Sequence, residues 1–542
     1  MNLTTQLIKW STHGLAAFLM GLAILCMTPD SGKAAQFPEL PYVYIDTIYS
    51  PPSGNTIVVK AGGDFQAALN NAALGDTIVL EAGATFNGPF YLPNKTSGSG
   101  WIYIQSSAYG SLPPPETRVS PLNASNMPTI VAGASASAIA TASNAHHYRF
   151  VGIEFRPPLG QFIYNLILIG NGESNAGALP NNITFDRCYI HGDPSAGGRR
   201  GIAMNGNGIA VIDSYLADFK EKGADSQTLM AWNSAGPIKI ANNYLEAAGE
   251  NVMFGGAEPS VTNLVPADIF IKQNHFFKKL SWMGSSWQIK NLLELKNAKR
   301  VLVTGNVFQN NWQAAQNGFS ILLTPRNEYG GCPGCGVQDV VIRQNRMLNL
   351  GQGINIAGRD NNYSSQVTKR VLIEHNEIQI TGLGSSGSRI WQILSGPTNV
   401  TIRNNTGIIT TAAGATGFTE SSPKADAFIF QNNLMSKGVY GWAGTGTGEG
   451  TATLDTYYTN YTFTYNAIIG SSGTYPNGNF YPANVSAVGF VDFSGGNYRL
   501  SASSPFKGKG SDGKDLGADI DALNAAISGA GVPPPRNLRV VQ

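Results

Sequence analysis

The sequence predicts an all-β chain wound into a right-handed parallel β-helix, a three-sheet solenoid with an N-terminal helical cap and a short C-terminal helix. Three observations point there. A strand–Asn–strand pattern recurs along most of the chain; Gly is abundant, at 64 of 542 residues; and charged residues are scarce, at 13%. Many short strands joined by tight turns need this balance.

The recurring pattern is apolar, any, apolar, two polar residues, Asn, any, apolar. It reads IKIANNYL from Ile238, IFIKQNHF from Ile269, VLVTGNVF from Val301 and VVIRQNRM from Val340. It continues as VLIEHNEI from Val371, VTIRNNTG from Val400 and FIFQNNLM from Phe428. The shared Asn is residue 243, 274, 306, 345, 376, 405 and 433, a period of about 30 residues that suits stacked coils. Earlier copies put Cys188 and Ser214 in its place, and a later one Asn466. Each three-residue alternation is a strand with one buried face. One turn Asn per coil, stacked on the next, satisfies backbone groups that are costly to bury unpaired. The segments lack 3.6-residue periodicity, which disfavours helical repeats. A propeller fits poorly, because four strands do not fit into so short a period.

A second strand family lies between the Asn turns: GIAMNGNG from Gly201, TLMAWNS from Thr228, ENVMFGG from Glu250, LLELKNA from Leu292, ILLTPRN from Ile321, INIAGRD from Ile354 and WQILSG from Trp391. These are expected to form one continuous parallel sheet. At the N-terminal side, DFQAALNNAALGD from Asp64 reads as an amphipathic helix ending in Gly, the cap a solenoid needs. At the other side, NYRL and DIDALNAAI read as closing strands and a short helix.

Residues 1–34 read as a secretion signal, with Lys9 before the apolar stretch Gly14–Met27 and small residues near Ala34. Residues 35–530 form the β-helix domain, and 531–542 a Pro-rich tail. The expected location is extracellular or periplasmic, with no membrane association once the signal is removed and a monomeric state. Cys332 and Cys335, as Cys-Pro-Gly-Cys, are expected to close a loop staple in an oxidising compartment. A net charge of +2 without basic runs argues against a nucleic-acid partner.

The opening helix with GDTIVLEAGATF, the Asn-turn coils and the closing YRL…SP…G…D-GAD segment resemble the pectate-lyase-like β-helix superfamily over roughly residues 55–525. Within that span GENVMFGG, KNLLELKNAKRVLVTGNVFQNNW, LLTPRN and GINIAGRD are similar to a group of bacterial secreted β-helix proteins. The resemblance implies polysaccharide lyases and glycosidases, although fold alone does not settle function. No motif specific to pectate, alginate or chondroitin lyases is visible.

Candidate chemistry concentrates in the middle coils. On LLELKNA the alternation places Leu293 and Leu295 inside and Glu294 and Lys296 on one outer face. The next coil supplies Arg326, and the one after it Asn355, Arg359 and Asp360. Elimination from a uronate polymer needs a base beside the substrate carboxylate, a cation or donor for the enolate, and an acid for the leaving oxygen. Lys296 and Arg326 are the candidates for base and carboxylate partner, with Glu294 tuning Lys296. The alternative for Glu294 and Lys296 is an exposed structural ion pair. Asp225 and Glu250, at the starts of adjacent strands, are the candidates for a hard cation such as Ca²⁺, for a glycosidase acid pair, or for turn hydrogen bonding. Asn205, Trp232, Asn355 and Arg359 are the candidate substrate-binding residues. The function expected is thus cleavage of a polysaccharide, by a lyase acting on a uronate polymer or by a glycoside hydrolase; a non-catalytic glycan-binding or structural β-helix is the remaining alternative.

Overall fold

A computed structural model describes residues 36–529 and 539–541. The 1–34 signal and most of the 531–542 tail lie outside the described residues.

Each coil contributes one strand to each of three long parallel sheets, of 14, 13 and 12 strands, called sheets 1, 2 and 3 in the order the chain visits them. One coil shows the pattern: Ile238–Ala241 in sheet 1, Tyr244–Ala247 in sheet 2 and Glu250–Phe254 in sheet 3, before Ala267–Lys272 begins the next coil in sheet 1. Pairing is in register from coil to coil, so apolar residues stack on apolar ones: Ile238 on Ile269, Ile269 on Val301, Val301 on Val340. The buried columns form one continuous core. Aromatic rings extend it, with Phe276 over Phe308 at 4.4 Å and Phe150 over Phe185 at 5.2 Å. Each fully buried Ile, Leu, Val or Phe stabilises by about 1.5–3 kcal/mol.

The turn between sheets 1 and 2 carries the Asn column. Asn243 N–H donates to Asn274 Oδ1 at 2.9 Å, and Asn274 N–H to Asn306 Oδ1 at 2.9 Å. The series continues through Asn345, Asn376, Asn405, Asn433 and Asn466 to Asn479. Each Nδ2 also reaches back to a carbonyl of the previous coil, as Asn306 does to Ile271 O at 3.0 Å. Ser214 starts the column, its Oγ accepting from Cys188 N–H and its N–H donating to Asn243 Oδ1. The residue before each Asn is left-handed, among them Asn242, Gln273, Gln344, His375, Asn404 and Asn432. The sequence does not announce this, because the six share only polarity.

The N-terminal helix, Phe65–Asn71, is capped by Asp64 and turns Phe65, Ala68 and Leu69 onto the end of the core. The other end departs from the expectation. Helix Ile520–Ser528 does not close the solenoid but folds back along its side: Ala526 O accepts from Gln273 Nε2 and Asn524 Oδ1 from Arg346. A further short helix, Thr451–Tyr457, interrupts the coils. The segment before the first helix runs outside sheet 1, where Glu39 and Tyr42 N–H groups meet Asp339 and Asp268. Val43–Ile45 pairs in parallel with Arg539–Val541, so the tail holds a strand. Among the described residues no helix is long and apolar enough to cross a membrane.

Candidate active-site groove on sheet 3

Sheet 3 carries the second strand family in register. Val252, Leu293, Ile321, Ile354 and Trp391 stack and point into the core. The intervening column, Met253, Glu294, Leu322, Asn355, Gln392 and Phe418, lies on the outer face. On either side of it lie a leading column, which includes Arg200, Gln227 and Glu250, and a trailing one, which includes Trp232 and Lys296.

The two acid–base groups that the sequence set apart prove to be one. Lys290 Nζ lies 2.5 Å from Asp225 Oδ1 and 3.5 Å from Glu250 Oε1. Glu250 is fully buried, and its Oε2 accepts from Gln227 Nε2 at 2.7 Å. Glu294 Oε2 accepts from Asn291 Nδ2 at 3.1 Å, and Lys296 Nζ stands 3.8 Å from Glu294 Oε1. Burial, with the charges of Asp225 and Glu294, pushes the Glu250 carboxyl up to about 7 against the pull of Lys290 and Lys296. Burial also acts to raise Asp225, but Lys290 outweighs it and holds that carboxyl below its ordinary range. Lys290 itself is raised: Glu250 and Asp225 together overcome its burial.

Glu294 and Lys296 therefore do not form the exposed ion pair of the alternative reading: Glu294 is 2% exposed and the pair is loose. Two glycines make room for Lys296. A Cβ on Gly255 would stand 3.1 Å from its Cβ, and one on Gly256 3.3 Å from its Cδ; both glycines are left-handed. Arg326 was expected on a strand but lies in the loop after Phe319–Leu323. Its N–H donates to Lys296 O at 3.0 Å, which ties it to the same edge, while its guanidinium turns to Asp360 at 2.8 Å. Cys332 and Cys335 are disulfide-bonded, and the loop they close is tied to Asn327, whose Oδ1 accepts from Cys332 N–H at 2.7 Å.

The substrate-binding candidates divide. Trp232 is half-buried beneath the Arg200 guanidinium, 5.3 Å from its ring, on the outer side of sheet 3. Asn355 lies in the outer column, its Oδ1 buried without a protein partner. Asn205 is buried instead, its Oδ1 holding the N–H groups of Trp232 and Asn233, a backbone duty. Arg359 donates to Ser395 O and Gly396 O and so clamps the next coil. Trp282 and Trp312 pack in a side cluster with Ala248 and Ile289.

Sequence reasoning missed Lys290 and Asn291 because they sit at the corner before Leu292, where strand alternation does not apply. It also missed Lys278, fully buried, whose Nζ donates to Ala247 O, Ala248 O and Gly249 O and to Asn251 Oδ1. Burial lowers Lys278 to about 7. It props the turn that delivers Glu250.

Among the described residues no three Asp, Glu, His or Cys side chains form a metal cage by themselves. The oxygen chemistry nevertheless suits a hard cation at one place. Glu250 Oε1 and Asn291 Oδ1 are buried without hydrogen-bond partners, beside Glu294. Asp225 is less available, since Lys290 already holds it.

The fold is a right-handed parallel β-helix, shared with solved polysaccharide-active proteins. AlyGC, an alginate lyase of polysaccharide lyase family 6, aligns with a TM-score of 0.50 at 15% identity, over 86% of this chain and 58% of its own. This chain thus spans little more than half the length of that lyase. A mannuronic-acid-specific family 6 lyase from human gut microbiota gives 0.48 at 12% identity, covering 79% of this chain and 91% of that one. Pectate lyase Pel9A gives 0.34 at 12% identity, over 86% and 96%. A family model described as disaggregatase related matches residues 337–520. No curated protein sequence matches the chain.

Proposed function

We propose that this chain is an exported polysaccharide lyase that cleaves a uronate-containing polymer by β-elimination in the sheet 3 groove. The observation that carries the reading is the placement of Lys296: an amine on the open face, given room by two glycines, with a carboxylate cluster on one side and Arg326 one coil on. Lys296 acts as the base and takes the proton beside the substrate carboxylate. The electron pair forms the ring double bond, the glycosidic C–O bond breaks, and the leaving oxygen takes the proton back from Lys296. Arg326 pairs with the substrate carboxylate and stabilises the enolate charge. Glu294 orients Lys296.

Ca²⁺ is the proposed cofactor, held by Glu250, Asn291 and Glu294. When bound it supplies positive charge for the substrate carboxylate. The internal disulfide and the apolar N-terminal stretch support export.

The test is a screen of purified protein against uronate and neutral polysaccharides, with and without a chelator, reading ultraviolet absorbance of unsaturated ends and total reducing ends. Unsaturated ends, lost in Lys296→Ala, are the expected result. The carboxylates Asp225 and Glu250, both held by Lys290, keep hydrolysis as the second reading, and reducing ends without unsaturation would establish it. Binding without cleavage of any polymer would leave a glycan-binding protein.

A further inference from the structure

Three coils beyond Glu294 the groove floor changes character. Arg389 begins the strand Arg389–Leu394, and its guanidinium carbon lies 4.2 Å over the Phe418 ring. Among the described residues it has no hydrogen-bond or carboxylate partner, and burial alone lowers its pKa, with no neighbouring charge opposing. The central column here runs Asn355, Gln392, Phe418 on successive coils. Asn355 is 7% exposed and its Oδ1 has no protein partner; Gln352, on the same strand, is 4% exposed with an equally unpartnered Oε1. Two unpartnered buried acceptors and an unpaired guanidinium on neighbouring coils of one sheet suit a ligand that brings hydroxyl donors and an anion.

We propose that Arg389, Gln392, Phe418, Asn355 and Gln352 form a distal subsite for an acidic sugar residue of the bound polymer. This rests on the reading of sheet 3 as a polymer groove. The planar guanidinium, held flat by Phe418, takes the sugar carboxylate through paired N–H groups. The Asn355 and Gln352 oxygens accept from sugar hydroxyls, and the Gln392 amide donates to a ring or hydroxyl oxygen. With coils about 4.8 Å apart, the subsite spans roughly 10 to 19 Å from Glu294 along the axis. It therefore grips a polymer several sugars from the bond that breaks, and its class of ligand is a polyuronate rather than a neutral chain.

The experiment is affinity electrophoresis of the full chain in gels containing polygalacturonate, alginate, hyaluronan or neutral xylan, with thermal melting as a folding control. Wild type should be retarded by at least one polyuronate and not by xylan. Arg389→Ala should weaken that retardation about tenfold or more, the scale of a lost charge-assisted pair. Arg389→Lys should recover part of it, since charge returns without the fork. Equal retardation of wild type and Arg389→Ala, equal retardation by xylan, or no retardation of wild type by any polyuronate would each overturn the subsite. Catalysis is judged separately: loss of binding in Arg389→Ala, with no unsaturated ends from wild type, would keep the subsite and remove the lyase reading.

Discussion

Sheets 1 and 3 use the same charged residues to opposite ends. Four of the five arginines in sheet 1 strands are paired with a carboxylate on the neighbouring strand: Arg149 with Asp186, Arg300 with Asp268, Arg370 with Asp339, Arg403 with Glu374. The Arg300 and Arg370 pairs are two-pronged, and the N-terminal segment adds backbone N–H groups to Asp268 and Asp339. The N-terminal segment thus covers these pairs. On sheet 3, Arg200 and Arg389 have no carboxylate partner among the described residues, while Asp225, Glu250 and Glu294 crowd one another. Most arginines find a carboxylate where the surface serves stability, and those of the outer face of sheet 3 do not. A solenoid makes this contrast easy to see, since each face repeats the same geometry.

The sharpest way to break the comparison is to exchange the readouts. Lys296→Ala should lower turnover on the true substrate about a hundredfold or more, the scale of a lost acid–base group, with a smaller loss of stability than turnover, since its pairing with Glu294 is loose at 3.8 Å. Asp339→Asn should do the reverse. It removes the charge that pairs with Arg370 and one of the two acceptor oxygens that Arg370 and Glu39 N–H share, costing about 3 kcal/mol of stability with turnover intact. Kinetics and melting curves of the two variants check both statements. If Asp339→Asn abolished turnover at full stability, sheet 1 would be part of the site.

Glu250 offers a pH test of the same contrast. Its folded pKa, about 7, lies above the ordinary carboxyl value. Its contribution to stability is therefore fully present below that ordinary value and is lost as pH rises through about 7. Glu250→Gln removes the buried charge. The variant should match wild type near pH 4 and exceed it by roughly 1–3 kcal/mol near pH 8. Melting curves across that range decide it; a constant offset would mean that Glu250 is not the group that titrates.

Most of the fold was legible because a solenoid repeats its physics. The Asn turns need one side chain with both a donor and an acceptor at a fixed place in every coil, and the strands need alternation on a common face. Both survive in the sequence, as Asn243, Asn274 and Asn306 show. The fold-back of Ile520–Ser528 was not legible, because an amphipathic helix of that length serves as well beside a solenoid as across its end. The site was half legible. Glu294 and Lys296 follow from the alternation of LLELKNA. That Asp225 and Glu250 belong to the same cluster depends on register across a long loop, residues 278–291, and on Lys290 emerging from it. Arg389 was passed over because RIWQIL reads as a core strand, and only the observed lack of a partner singles it out.

The smallest expected effect concerns the loop that places Arg326. Cys332 and Cys335 close a loop of few residues, and in the chain-entropy description such a short closure contributes at most about 2 kcal/mol. Cys332 N–H and Asn327 Oδ1 link that loop to the residue after Arg326, and Asn327 N–H donates to the same Asp360 carboxylate that holds the Arg326 guanidinium. The double variant Cys332→Ser with Cys335→Ser should therefore lose little stability. Its kinetic effect should fall on KM rather than kcat, because a loosened Arg326 still meets the substrate carboxylate once the polymer is seated, at an added cost of ordering. An unchanged KM would mean that the Asp360 contacts alone hold Arg326 in place. A large loss of kcat would put the loop in contact with the reacting sugar, and would move the functional edge of sheet 3 outward from Lys296.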